Sequence, residues 1–86
     1  MKFQGAVIKE QGISFAIVAV RMTTMQNPDQ REKTVALYTG IFQGIPVVLT
    51  AKDFKGALKY FGRSDIVAYL SKIKPGSIPW KEYTYS

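Results

Sequence analysis

Acid–base and nucleophilic chemistry has few candidate residues in this chain, which contains no histidine and no cysteine. The commonest proton shuttle, the commonest thiol nucleophile and the best zinc ligands are therefore absent. The six acidic residues all fall in predicted turns, helix starts or the C-terminal segment: Glu10, Asp29, Glu32, Asp53, Asp65 and Glu82. The sequence favours a non-enzymatic protein with no metal, disulfide or other cofactor. An enzyme with a carboxylate or lysine site is the third and weakest hypothesis.

Anion binding is the second kind of chemistry that the sequence allows. Twelve lysines and arginines against six acids give a formal net charge of +6, and seven of these bases lie in residues 43–86. Such an excess raises the expectation of a polyanionic partner such as nucleic acid. It also keeps a small protein soluble without any partner. The candidate anion- or nucleic-acid-binding residues are Lys52, Lys55, Lys59, Arg63, Ser64, Lys72 and Lys74.

The segment Lys59–Asp65 contains one such candidate site. A predicted strand ends there and a predicted helix begins, so free backbone amides would lie beside the Arg63 guanidinium and the Ser64 hydroxyl. This arrangement suits a phosphate or a carboxylate. The favoured alternative is a plain capped helix in which Arg63 is solvated or pairs with a carboxylate such as Asp65.

The C-terminal segment Ile78–Tyr85 combines the only tryptophan of the chain with two tyrosines. Trp80, Tyr83 and Tyr85 are residue types that anchor interfaces, although packing within the chain explains them equally well. Our leading functional hypothesis is a small interaction protein that forms a homodimer through these residues and contacts another protein. The alternative is nucleic-acid or anionic-ligand binding by the basic residues.

Apolar runs predict four strands that would position these side chains. The first begins near Phe3 and closes in a turn at Glu10–Gly12, and the others cover Ile13–Arg21, Pro46–Ala51 and Ala57–Phe61. Because Ile13–Arg21 is apolar on both faces, it marks a strand that is covered on two sides or lies at an oligomer interface.

Two helices are predicted, one between the second and third strands and one after the fourth. Asn27 is a suitable N-cap for the first, with Pro28 at its first position. Ser64 caps the second, which runs until Pro75–Gly76. The fold class is therefore α/β (α+β), a mixed four- to five-stranded sheet with two helices in the order ββαββα. Residues 78–85 form either a short C-terminal strand or a segment laid over the body.

Part of the C-terminal half resembles thioredoxin-fold proteins. The stretch Gln43-Gly44-Ile45-Pro46-Val47-Val48-Leu49, the turn at Lys52–Gly56, Gly62 and a helix through Leu70 are similar to their Gly-Ile-Pro strand, hairpin and last helix. The redox pair Cys-x-x-Cys of those proteins is absent here. The resemblance implies a related arrangement around Pro46, with a cis peptide as one form of it, and no disulfide chemistry.

Counted from Ile13, the elements with a final strand also follow the ferredoxin-like order of RNA-recognition domains. Lys55-Gly56 falls where the basic RNA-binding motif of those domains begins. Ala57 and Lys59 stand at the positions of its stacking aromatic residues, so this resemblance extends to the topology alone.

Residues 1–86 are predicted to form one domain, because a chain of this length has room for a single core. The longest apolar run, Ile13–Val20, is much shorter than the about 20 residues of a membrane-spanning helix. Lys9 and Glu10 interrupt the N-terminal apolar stretch, which is unlike a signal peptide. We therefore expect a cytoplasmic protein that makes no contact with a membrane.

Overall fold

The computed structural model describes residues 1–10 and 12–85, which form a five-stranded mixed sheet with helices on both faces. The strands are β1 Lys2–Glu10, β2 Ile13–Ala19, β3 Val47–Lys52, β4 Leu58–Phe61 and β5 Lys81–Thr84. The helices are α1 Met22–Gln26, α2 Pro28–Ile41 and α3 Ser64–Leu70, and Pro75–Ser77 forms a 3₁₀ turn. The predicted fold class is confirmed, with the C-terminal segment as a final strand.

The strands lie in the order β4-β3-β2-β1-β5 across the sheet. β2 and β3 are parallel, as predicted for strands joined through a helix, and all other neighbours are antiparallel. β5 pairs with β1, so that Tyr83 lies opposite Phe3. Because β1 lies between β2 and β5, the strands from Ile13 onward do not form a sheet of their own. The ferredoxin-like topology is therefore wrong. Gln11 of the predicted β1–β2 turn lies outside the described residues.

One side of the sheet, called here the α2 face, is covered by α1 and α2. Val18 and Leu49 are fully buried on it and pack with Phe3 and with Tyr38 of α2. The Phe3 ring stacks on the Tyr83 ring with their centroids 5.2 Å apart, and it meets the Tyr38 ring edge-on at 4.8 Å. This aromatic cluster holds the N-terminal and C-terminal strands together.

The other side, called the α3 face, has a mainly aliphatic core that also contains Phe15. Ile17 and Val48 of the central strands are fully buried there, against Ile66 and Leu70 of α3 and Ile78 of the following segment. Alternate residues of β2 are thus buried on the two faces, as its apolar pattern predicted. Val18, Val48 and Leu70 all lie in the core, and each is fully buried.

The N-terminus of α2 agrees with the sequence pattern. The Asn27 side-chain oxygen accepts a hydrogen bond from the backbone N–H of Gln30 at 3.1 Å, and Pro28 is the first helical residue. This bond satisfies one of the amide groups that the first turn of a helix leaves without a partner.

β2 ends at Ala19 instead of Arg21, and the chain then forms α1, which the sequence patterns did not indicate. The Arg21 carbonyl accepts hydrogen bonds from the amides of Thr24 and Met25, at 3.0 and 3.2 Å. Met25 is buried in the core of the α2 face. A five-residue helix is not stable alone, so this packing is the reason that it forms.

Helix α3 begins differently from the prediction, in which Ser64 is its cap. Ser64 is the first helical residue, and Arg63 occupies the N-cap position without a side-chain capping bond. Arg63 instead uses its side chain to bind Asp65. Helix α3 therefore begins without a side-chain cap, and the predicted capping role of Ser64 is wrong.

Helix α3 also ends at Leu70, before the predicted stop at Pro75–Gly76. The amides of Lys72 and Ile73 donate to carbonyls three residues earlier, at 3.1 and 3.3 Å, and this tighter pattern ends the α-helix. The chain can then bring Ile78 onto the sheet, where it is buried. No helix in residues 1–10 and 12–85 is long and apolar enough to cross a membrane.

The β3–β4 hairpin matches the prediction apart from its boundaries. Its strands begin one residue later than expected, at Val47 and Leu58. The turn between them is closed by the Asp53 amide, which donates to the Ala57 carbonyl at 2.9 Å. The peptide bond before Pro46 is trans, so the cis form that the thioredoxin resemblance allowed is wrong.

Candidate anion-binding groove

A groove of ≈ 850 Å³ lies at the carboxyl ends of the parallel strands β2 and β3. Its floor includes Ala19, Thr50, Lys52 and Leu58, and Trp80 stands at its side. The open end of a parallel strand pair is a common place for ligands, because the chain connections there leave side chains free.

Strand register explains why the floor residues share the α3 face. Ala19 is level with Thr50 across β2 and β3, and Lys52 lies opposite Leu58 across β3 and β4. Side chains two residues apart on a strand point to the same side, so all four are in line with buried Ile17. α3 starts at the far end of β4 and is about 10 Å long. It therefore covers only part of this face.

Two cations line the groove where the parallel strands end. They are Arg21, which follows β2, and Lys52, the last residue of β3, and both are exposed. Among the described residues that line the groove there is no aspartate or glutamate. The salt bridge found in residues 1–10 and 12–85 joins Arg63 to Asp65, so it involves neither groove cation. The charge of both cations is therefore available to a ligand.

Trp80 forms a wall of the groove together with Pro75 and Gly76. Its backbone amide donates to the Ile78 carbonyl at 2.8 Å, and Ile78 is buried in the core of the α3 face. This bond holds the segment in place, while Trp80 remains 36% exposed. An indole held in this way presents an apolar surface on which a planar ring can stack.

The turn that joins β3 to β4 borders the groove through Lys52 and Gly56. The Asp53 carboxylate accepts hydrogen bonds from the amides of Lys55 and Ala57, at 2.8 and 3.0 Å, and these bonds stabilise the turn. Its carboxylate is therefore committed to the turn. At the tip of this turn, Phe54 is 94% exposed, the most exposed of the large apolar residues.

The sequence-predicted site at Arg63 and Ser64 lies at the opposite end of the sheet. Arg63 donates two hydrogen bonds to the Asp65 carboxylate, at 3.1 and 2.6 Å. These hydrogen bonds lower the pKa of Asp65 and raise that of Arg63. Both side chains are about half exposed, so the pair is a surface feature. This geometry agrees with the alternative prediction, in which Arg63 pairs with Asp65 instead of binding an external anion.

The remaining predicted basic residues are distributed over the surface. Lys55 lies on the turn beside the groove, and Lys59 lies opposite Ala51, whose side chain is in the core of the α2 face. Lys72 and Lys74 follow α3, and both are exposed. Of the predicted residues, the structure thus places only Lys52 in the described lining of the groove, with Lys55 on the turn beside it. The others lie outside the lining: Lys59, Arg63, Ser64, Lys72 and Lys74.

The three aromatic residues predicted as interface anchors have different surroundings. Tyr83 is half-buried against Phe3 and Phe42, within the aromatic cluster of the α2 face. Trp80 lines the groove, and Tyr85 is 49% exposed. A role in dimer formation stays a prediction for all three.

A second cavity of ≈ 90 Å³ lies at the far end of the sheet, near Glu10, Asp65 and Tyr69. The Tyr69 hydroxyl donates to the Glu10 carboxylate at 3.3 Å, and desolvation together with that carboxylate raises the pKa of Tyr69. The Asp65 carboxylate is taken up by Arg63. In the described part of the chain, no group of three or more acidic side chains could hold a metal ion.

Sequence reasoning missed three contributors to the groove region, Gln4, Arg21 and Phe54. Arg21 had a readable signal, because it follows directly on an apolar strand that is joined to the next through a helix. Phe54 also had a signal in the sequence, because it is an aromatic residue inside a predicted turn, between Asp53 and Lys55. Gln4 of β1 also lines the groove, and no pattern in the sequence distinguished it.

Comparison with known proteins adds no relative to this description. The chain matches no protein-family model, no curated protein and no solved structure.

Proposed function

We propose that this is a non-enzymatic binding protein whose groove takes an anionic ligand with a planar ring. The observation that carries the proposal is the composition of the groove, with Arg21, Lys52 and Trp80 along its lining and no acid among its described residues. At the second cavity, by contrast, the Glu10 and Asp65 carboxylates are already hydrogen-bonded to Tyr69 and Arg63. Anionic-ligand binding was the alternative hypothesis from the sequence, and here it involves the groove instead of the surface lysines as a group.

The physical basis is the pairing of charge with an apolar surface. An arginine can bind a phosphate or carboxylate through two parallel hydrogen bonds, and a nearby lysine adds a second positive charge. Trp80 and Leu58 would receive the apolar or planar part of the ligand. A volume of ≈ 850 Å³ falls within the range of about 300–1,000 Å³ that is usual for small-molecule sites.

Trp80 supplies the assay, because it is the only tryptophan in the chain. Thymidine monophosphate titrated at ~50 mM salt should change its fluorescence, whereas thymidine and inorganic phosphate should each bind more weakly. Arg21→Gln and Lys52→Gln should each weaken binding about tenfold, since a hydrogen bond to a charged group contributes about 1.5–3 kcal/mol.

Lys33→Gln is the matched control, because Lys33 is an exposed lysine on α2, away from the groove lining. It removes the same charge from the whole protein and should leave the affinity nearly unchanged. An unaltered tryptophan signal at millimolar ligand would contradict the proposal, and so would equal losses in all three variants.

A homodimer is the second candidate function, and the edge position of β5 favours it. β1 pairs with one side of β5, and within the described residues no strand pairs with the other. Trp80 and Tyr85 flank this strand with 36% and 49% exposure. Sedimentation equilibrium should then give twice the 9.6 kDa chain mass, and Trp80→Ala should shift the protein toward the monomer. A monomer at every micromolar concentration would contradict this candidate.

A further inference from the structure

We infer that the ligand of the groove is a segment of single-stranded nucleic acid, with Phe54 as a stacking surface outside the groove. This inference rests on the proposed function, since it names the ligand class of the same groove. The additional observation is the exposed side chain of Phe54 on the neighbouring turn. A small ligand that fills only the groove would not contact this side chain.

Phe54 is exposed to solvent on a turn whose hydrogen bonds do not involve its side chain. The Asp53 carboxylate binds two amides of the turn, and the Gly56 amide donates to the Asp53 carbonyl at 3.0 Å. Gly56 adopts a φ of +82°, which favours glycine and completes the turn. Phe54 makes no contribution to this geometry, and at 94% exposure it contributes almost nothing to the core. An aromatic ring presented in this way gains favourable contacts only when another molecule covers it.

The turn is continuous with the groove. Lys52 and Gly56, on the two sides of Phe54 in the chain, both line the groove. Lys55 is the next residue after Phe54, and its ammonium group lies 5.6 Å from the centre of the Phe54 ring. A chain that leaves the groove past Lys52 therefore meets Phe54 and Lys55 next.

The order of chemical groups along this path fits a polynucleotide. Arg21, Lys52 and Lys55 provide positive charge, while Trp80 and Phe54 provide aromatic surfaces. Proteins that bind single strands combine a positively charged groove with aromatic side chains on which bases stack. A duplex hides the faces of its bases inside the stack, so the single strand is the form that can use both rings.

The experiment compares ligand length on the intact protein. Binding of thymidine monophosphate and of an eight-nucleotide thymidine strand is measured by Trp80 fluorescence at ~50 mM salt, where electrostatic binding is strong. The strand should bind at least about tenfold more tightly than the mononucleotide. Its affinity should fall with salt, by about 0.7 logarithmic units per tenfold salt for each phosphate contact.

Phe54→Ala is the decisive variant. It should weaken binding of the strand by about 5- to 100-fold, in line with the effect of removing one base-stacking aromatic residue, and leave the mononucleotide unaffected. Leu37→Ala is the control and should leave strand binding unchanged, because Leu37 is a large, half-exposed apolar residue of α2 outside the groove lining. Lys55→Gln should lower the salt dependence of strand binding by about one phosphate contact. Unchanged thermal midpoints show that each variant is folded.

Several results would overturn the inference while the proposed function stands. In one, the mononucleotide binds through Arg21 and Lys52, but the strand binds no more tightly than the mononucleotide. In another, Phe54→Ala leaves the affinity for the strand unchanged. Equal affinity for an eight-base-pair duplex would remove the single-strand preference. Phe54-dependent binding to vesicles containing phosphatidylserine, without strand binding, would reassign the turn to a membrane surface. Failure of the mononucleotide to bind would instead count against the proposed function.

Discussion

On the α2 face, a helix of 14 residues packs over the sheet together with α1, whereas on the α3 face a helix of seven residues does so almost alone. A helix rises about 1.5 Å per residue, so the two are about 21 and 10 Å long. The seven residues of β2 span about 23 Å. The longer helix can therefore cover the central strands from end to end, and the shorter one cannot.

This difference in length explains where each kind of residue is found. The α2 face is closed by aromatic rings, Phe3, Tyr38, Phe42 and Tyr83, with neighbouring centroids 4.8–6.0 Å apart. The α3 face has a mainly aliphatic core at one end and the groove at the other. The groove thus lies where the helical cover of the sheet ends, while the core of the opposite face stays closed.

Leu70→Ala should have the largest effect on folding. Leu70 is fully buried and belongs to the short helix, so its loss leaves a cavity that few neighbours can fill. We expect the free energy of unfolding to fall by about 2–5 kcal/mol in urea denaturation. Leu37→Ala, at a half-exposed leucine of α2, should change it by less than about 0.5 kcal/mol. Similar values for both would show that α3 is not docked on the sheet.

Gly5→Ala tests the tight packing of the α2 face. A Cβ atom on Gly5 would lie 2.8 Å from the Ile17 carbonyl oxygen and 3.4 Å from the rings of Phe3 and Tyr83. Because a backbone oxygen cannot move aside, we expect a loss of about 1–3 kcal/mol in the free energy of unfolding.

Gly40→Ala is the matched substitution in α2. A Cβ atom there meets nothing within 4 Å, so the better helix propensity of alanine should stabilise the protein by up to about 1 kcal/mol. Opposite signs for the two glycines, measured from thermal midpoints, are the expected result. A stabilised Gly5→Ala variant would contradict the close approach of β1 to β2.

Asn27→Ala compares the starts of the two main helices. α2 has a side-chain cap and α3 has none, so the loss of the Asn27 oxygen should reduce the free energy of unfolding by about 1 kcal/mol. Asn27→Asp should keep most of that stability, because the carboxylate accepts the same bond from Gln30. Denaturant midpoints measure both variants, and equal loss in the two would argue against the cap.

Asp65→Asn should have the smallest effect and should depend on pH. The hydrogen bond from Arg63 holds the pKa of Asp65 below its ordinary value of 3.8. The pair therefore stabilises the folded chain above that value and loses this contribution as the pH falls through the lower, folded-state pKa. Thermal midpoints of wild type and variant should differ at neutral pH and low salt and converge in acid. A difference that grows in acid would contradict this sign.

Local patterns in the sequence determined much of the fold. The Asn27-Pro28 pair predicts the start of α2, and the nearly continuous apolar run of β2 predicts a strand covered on both faces, because both signals depend on residues close in the chain. The same patterns mispredicted the region after Leu70. The end of α3 at Leu70 depends on the contact of Ile78 with the sheet, which joins residues that are distant in the sequence.

The thioredoxin resemblance and the oligomeric state both remain predictions. Within the groove, the sequence identified Lys52 and Trp80 as residues of interest but assigned them to different functions. Arg21, Lys52 and Trp80 are far apart in the chain, and no spacing rule connects them.

Tertiary structure alone decided that Trp80 lines the same groove as Arg21 and Lys52. β2 and β3 bring Arg21 and Lys52 to the same edge of the sheet, because parallel strands end on the same side. The groove between them and Trp80 stays open because α3 is too short to fill it. Residue types and local periodicity determined the elements of this protein, while strand pairing and helix length, which act over long distances in the chain, determined its candidate site.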